Sequence, residues 1–201
     1  MSHESNVESS APSVRRTRRR PGRERLLAAV DRLFYRDGLS SAVVDHLIDE
    51  AGVARGTLYK NFRTRDDLIE AYLQGRHQRT MSVLEQIAAE QATLEHQIDA
   101  VFDYLASLTS DDLFRGCAFV VAAAELPEDD RPATRWAKQH KRAAFDTFQQ
   151  IFASHDVPDP RAMAEQLSIL YDGALITSYL RPASDAVARA RAMAHRLLVA
   201  S

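Results

Sequence analysis

Apolar residues recur at three- and four-residue intervals along the chain from residue 26 onward, the period of helices that bury one face. Leu26, Leu27, Val30, Leu33 and Phe34 mark one such face, which stops at Gly38. A second pattern, Val44, Leu47 and Ile48, breaks at Gly52 and resumes as Val53, Leu58, Tyr59 and Phe62. Thr64 with Asp67 three residues on is a capping-box start, and Leu68, Ile69, Tyr72 and Leu73 follow it. The polar run from Gly75 to Arg79 interrupts that stripe, which resumes at Met81, Leu84, Ile87 and Ala88. This spacing predicts one long helix that joins two domains.

The second half is helical by the same criterion. Leu94, Ile98, Val101, Phe102, Leu105 and Leu108 form one amphipathic face that closes near Ser110. Leu113 to Leu126 contains GCAFVVAAA, apolar around its circumference, which predicts a buried helix. Pro132 suits a first helical position before Trp136, Ala144, Phe148, Ile151 and Phe152, and Asp159 with Pro160 starts another helix. That helix, Arg161 to Leu180, has two apolar rows: Met163, Leu167, Leu170 and Ala174, then Ile169, Gly173, Ile176 and Leu180. Two rows need two partners, one inside the domain and one in a second copy of the chain. Ser184 is read as the cap of a last helix faced by Val187, Ala190, Ala194, Leu197 and Leu198. Strand alternation, internal repeats and a Gly-rich phosphate loop are all missing from the sequence, so the fold class is all-α.

The stretch from Val44 to Phe62 carries the functional signal. Gly52, between Ala51 and Val53, accepts the positive φ of a tight turn, so the two short helices cross steeply. The second can then enter a DNA major groove while the first crosses the backbone. Arg55, Thr57, Tyr59, Lys60, Asn61 and the following Arg65 offer cations and hydrogen-bond donors, and Gly56 leaves room for a phosphate. AGVARGTLYKNF followed by TRDDLIEAY resembles the DNA-binding end of the tetracycline-repressor (TetR) family from about Arg23 to Tyr72. The resemblance departs at Ala42 and Val43, where members carry Thr or Ser; Ser40 and Ser41 are candidates for the capping task. It implies residues 22–74 as a three-helix helix-turn-helix domain. Residues 75–201 become a larger effector-binding and dimerisation domain, and 1–21 an unstructured basic arm.

Charge sharpens this picture. Residues 1–65 hold 13 Lys or Arg against 8 Asp or Glu, while residues 66–201 hold 13 against 20. The cationic end is the end that meets a polyanion. Seven arginines crowd between Arg15 and Arg25, which reads equally as a solvated tail or as an arm whose Arg18, Arg19 and Arg20 are candidate contacts to phosphates or a minor groove. A single cysteine, Cys117, excludes an internal disulfide and fits a reducing cytosol, and no apolar run is long enough to span a membrane. The expected location is cytoplasmic. The histidines and Cys117 show no metal-ligand spacing, and no nucleophile, base and orienting group assemble at a recognisable signature, so metal, cofactor and catalysis are not expected.

The second domain is rich in aromatic residues. The family resemblance implies a pocket there for a small, often hydrophobic effector, with Phe102, Leu105, Phe119, Trp136 and Phe148 as walls and His140 or Tyr171 to orient a polar group. The inward rows carry no cluster of Lys or Arg, so a largely apolar ligand is expected. The resulting expectation is a homodimeric, ligand-responsive repressor of a palindromic operator in double-stranded DNA. The rival is a helical carrier or enzyme that has lost DNA binding, against which the arginine arm and the Thr57, Tyr59, Lys60 set argue.

Overall fold

The computed structural model describes residues 21–40, 44–90 and 92–199, and every regular element among them is an α-helix. In chain order these are α1 (Gly22–Asp37), α2 (Val44–Ala51), α3 (Arg55–Asn61) and α4 (Arg65–Ala89). They are followed by α5 (Leu94–Thr109), α6 (Ala118–Glu125), α7 (Pro132–Ala153), α8 (Pro160–Leu180) and α9 (Ala186–Val199). Local chemistry sets most boundaries. Gly38 ends α1 at φ 86°, a conformation that costs a side-chain-bearing residue free energy. The Thr64 hydroxyl accepts from the Asp67 amide at 3.1 Å, and the Asp67 carboxylate accepts from the Thr64 amide at 2.9 Å, closing the capping box that starts α4. Asp159 accepts from the Ala162 amide at 3.0 Å, with Pro160 in the first turn of α8.

Two apolar cores lie along α4, which contributes to both. Leu68, Ile69, Tyr72 and Leu73 join Leu26, Val30, Phe34, Leu47 and Leu58 of the first three helices, together with Phe119 of α6 and Trp136 of α7. Met81, Leu84, Ile87 and Ala88 join Ile98, Phe102, Leu105, Phe148, Phe152 and Leu167 of α5, α7 and α8. The polar run at Gly75–Arg79 remains helical, so α4 crosses from one core to the other without a break. Truncating a fully enclosed side chain such as Leu105 to Ala would cost about 2–5 kcal/mol. At the far end of α4, buried Gln97 donates from Nε2 to the carbonyls of Ile87 and Glu90, both at 3.0 Å, satisfying helix-terminal acceptors.

Two elements differ from the expectation set by the sequence. The apolar stretch from Leu113 to Leu126 is not one buried helix: α6 begins only at Ala118, after a turn at Gly116 with φ 80°. Only one side of α6 is enclosed, by Ala118, Phe119 and Ala122, while Val120 and Val121 face solvent. Hydropathy cannot locate a glycine turn inside an apolar run. The capping position of α9 is Asp185, one residue beyond Ser184, because the Arg189 amide bonds the Asp185 carbonyl at 3.0 Å. The Ser184 hydroxyl is enclosed without a hydrogen-bond partner among the described residues.

Candidate nucleic-acid interface and effector cavity

In the turn between α2 and α3, the Gly52 amide bonds the Asp49 carbonyl at 3.1 Å, and Val53 reaches the Ile48 carbonyl at 3.2 Å. Gly52 has φ 57°, in the left-handed region that this turn requires. Arg25 of α1 donates from Nη1 to the carbonyls of Ala51 and Gly52 at 3.1 and 2.6 Å. A cation at the C-terminus of α2 complements its dipole and fixes that helix against α1. Leu58 is the one fully enclosed side chain of α3, so the rest of the helix is offered outward or to its immediate neighbours.

The predicted DNA-contacting residues fall into distinct environments. Tyr59 is 51% exposed and Lys60 is likewise at the surface, both on the outer side of α3. Gly56 is exposed, and a Cβ there would meet nothing within 4 Å, leaving an open approach to the backbone. Arg55 is exposed and paired with Asp45 of α2, a surface contact that contributes little to stability and can be exchanged for a phosphate. Asn61 donates to the Thr57 carbonyl at 2.7 Å, and Thr57 is half-buried against the start of α1, so both brace the helix. Arg65 donates to the Leu39 carbonyl, tying α4 to the turn after α1. Arg18, Arg19 and Arg20 lie outside the described residues, as do Ser41, Ala42 and Val43. The Ser40 amide donates to the Glu125 carboxylate at 2.9 Å, linking that turn to α6.

A cavity of about 590 Å³ lies where α1, α4, α5, the loop before α6, α7 and α8 meet. Its volume is within the range of small-molecule sites. Phe119, His140 and Tyr171, three of the residues expected as pocket walls, line it. Phe148 lines a neighbouring cavity of about 330 Å³ that shares His140, Lys141 and Tyr171 with the first. Phe102 and Leu105 are enclosed in the second core, and Trp136 packs in the first. The sequence reading missed Tyr35, Arg76, Arg79, Tyr104, Phe114, Lys141 and Leu175 as wall residues. The spacing of Arg76 and Arg79 on one helix face was the available signal.

Histidine pairing marks the inner wall. Nδ1 of His77 lies 3.2 Å from Nδ1 of His140, and the His140 ring stacks on Phe119 with centroids 3.8 Å apart. Burial pushes the His140 pKa down to about 3, helped by neighbouring Lys141 and His77. Both rings are therefore neutral near pH 7, with one nitrogen donating and the other accepting. On the outer wall the Tyr35 hydroxyl accepts from the Arg115 amide and donates to the Gly116 carbonyl, each at 2.9 Å. The Arg76 guanidinium lies 3.7 Å over the Tyr35 ring, and burial raises the Tyr35 pKa. Among the described residues no group of three or more His, Cys, Asp or Glu is placed to hold a metal ion.

Known proteins share this fold. Residues 26–72 match the family model described as bacterial regulatory proteins, tetR family. The crystal structure of SCO4454, a TetR-family transcriptional regulator from Streptomyces coelicolor, is 31% identical, with a TM-score of 0.77 over 87% of this chain and 90% of that one. SmeT in its complex with triclosan shares the fold at 20% identity, with a TM-score of 0.71 over 86% of this chain and 89% of that one. The HTH-type transcriptional regulator YjdC of Escherichia coli (strain K12) is 28% identical over 86 residues, 43% of this chain. That match spans 45% of the length of YjdC, so the chain covers less than half of this curated relative.

Proposed function

The chain belongs to the TetR family of DNA-binding transcriptional regulators, which are not enzymes, and from that premise we propose that it is a ligand-responsive repressor acting as a homodimer on a palindromic operator. The observation that carries the ligand-responsive part is the 590 Å³ cavity, whose wall includes Asp31, Arg32 and Tyr35 of α1 alongside residues of α4, α5, α7 and α8. An occupant there touches the helix that clamps the helix-turn-helix and the helices of the second core together. A ligand that binds better when these are rearranged shifts the population away from the operator-competent state.

DNA contact is assigned to Tyr59, Lys60, Gly56 and Arg55 on α3, with the arm arginines Arg18, Arg19 and Arg20 adding phosphate contacts. Dimerisation is assigned to the outward row of α8. Ile169 is 72% exposed, Ile176 48% and Leu180 69%, and a Cβ on Gly173 between them would meet nothing within 4 Å. Apolar exposure of this kind on one helix marks a partner surface. A two-fold axis there would present two recognition helices to half-sites about 34–36 Å apart.

The effector is proposed to be largely apolar, since Val83, Leu108, Phe114, Phe119 and Leu175 dominate the inner wall. SmeT, which shares this fold, forms a complex with triclosan, and that is consistent with a small-molecule effector here. No helix among the described residues is long and apolar enough to cross a membrane, and a DNA target places the proposed action in the cytoplasm. Selection of bound sequences from random DNA tests the whole reading. A palindromic half-site enriched in the bound pool is the expected result. Equal retention of shuffled sequence would instead mark a non-specific DNA-coating protein.

A further inference from the structure

At the mouth of the cavity two arginines converge on a single carboxylate. Arg76 reaches the Asp31 carboxylate from Nε at 2.9 Å and from Nη2 at 3.4 Å, and Arg79 reaches the same group from Nη2 at 2.7 Å. Two guanidinium groups thus share one carboxylate. The other cations of the wall are matched one for one: Arg32 with Glu50, Arg36 with Asp37 and Lys141 with Asp172. The remaining wall carboxylate, Asp111, accepts the Leu113 amide at 2.8 Å. Stacking on Tyr35 holds Arg76 in place, and its side chain is only 22% exposed. A fixed, partly desolvated guanidinium with donors to spare is built for an oxyanion. The wall beyond it is apolar, through Tyr104, Leu108, Phe114 and Leu175.

We propose that the effector is an apolar body ending in a single anionic group, and that this group binds Arg76 and Arg79 by taking the place of Asp31. The proposal rests on the cavity being the effector site. One carboxylate or sulfonate replaces the one carboxylate that the two guanidinium groups share, whereas a multiply phosphorylated ligand brings further negative charge beside Asp31 and Asp111. An uncharged ligand offers the two guanidinium groups no anion in place of Asp31. Because Asp31 sits on α1 and both arginines on α4, the exchange also loosens an ion-pair tie between those helices.

Two fluorescent probes separate charge from shape. 8-Anilinonaphthalene-1-sulfonate and N-phenyl-1-naphthylamine share one aromatic skeleton and differ by the sulfonate. Titrated into the full chain, the sulfonate probe is expected to bind at least about tenfold more tightly. Arg79→Gln, at an exposed position whose loss leaves the fold intact, should weaken the sulfonate probe about tenfold and leave the neutral probe within about twofold. Asp31→Asn should tighten the sulfonate probe by removing its competitor. Val83→Trp, which fills the cavity from a half-buried wall position, should weaken both probes. If Val83→Trp weakens both but the sulfonate confers no preference, or the preference survives Arg79→Gln, the anionic-group proposal fails and the cavity reading stands. If Val83→Trp changes neither probe, the cavity is not the site and both readings fail.

Discussion

Tyr59 and Lys60 face away from the core of the helix-turn-helix, so their side chains can be removed without opening a cavity. Tyr59→Ala and Lys60→Ala are each expected to weaken operator binding by about 1–3 kcal/mol, the worth of one good contact to phosphate or base edge. Gel shifts at one fixed salt concentration measure this, and unchanged affinity in both variants would remove α3 from the groove. His140 makes a different kind of prediction. Its folded pKa of about 3 lies below the ordinary histidine value of 6.5, so below pH 6.5 the unfolded chain takes up a proton that the folded chain refuses. Stability therefore falls as pH drops from 6.5 toward 3, by up to about 1.4 kcal/mol per pH unit from this group. His77, whose pKa burial also lowers, acts in the same direction. Urea unfolding at pH 7 and pH 5 should show a loss about 2 kcal/mol smaller in His140→Gln than in the parent. Equal losses would mean that His140 is protonated in the folded state.

Helix α8 makes the clearest case for reading an element from its pattern. Its two apolar rows were legible in the sequence because a period near 3.6 separates them by a fixed angle. Met163, Leu167 and Ala174 are enclosed while Ile169, Ile176 and Leu180 are exposed. Ile176→Asp, placing a charge in the proposed interface, is expected to give monomers that keep their helical circular dichroism. Sedimentation of a folded dimer would move the interface elsewhere. The capping box at Thr64, the proline start of α7 and the Asp159 cap of α8 were legible for a similar reason: each is chemistry of a residue with its own backbone or with one a turn away. The loop before α6 was not. GCAFVVAAA has no polar stripe to reveal which side is buried, and the turn at Gly116 is bonded by Tyr35, which lies 81 residues earlier.

The cavity shows why a site is harder to read than a fold. Periodicity marks Phe102, Leu105, Phe119 and Tyr171 alike as inward, but only packing decides that the first two meet neighbours and the last two face a void. Arg76 and Arg79 read as a polar interruption of α4, since their shared partner Asp31 lies 45 and 48 residues away. One link between the cavity and the DNA-binding helices is the Tyr35 hydroxyl, bonded to Arg115 and Gly116 while Arg76 stacks on its ring. Tyr35→Phe keeps the ring and the stack but leaves a part-buried amide and carbonyl without that partner, at a cost of about 1–3 kcal/mol in stability. Its more specific effect is on coupling. If cavity and operator bias one equilibrium, operator DNA weakens a cavity ligand by the same factor that the ligand weakens operator binding. The affinity of the sulfonate probe, measured with and without operator, gives that factor. In Tyr35→Phe the factor should move toward one while probe affinity without DNA stays close to that of the parent. A factor equal to the parent's would show that the signal passes from cavity to α1 by another contact, the Asp31 ion pair being the next to test.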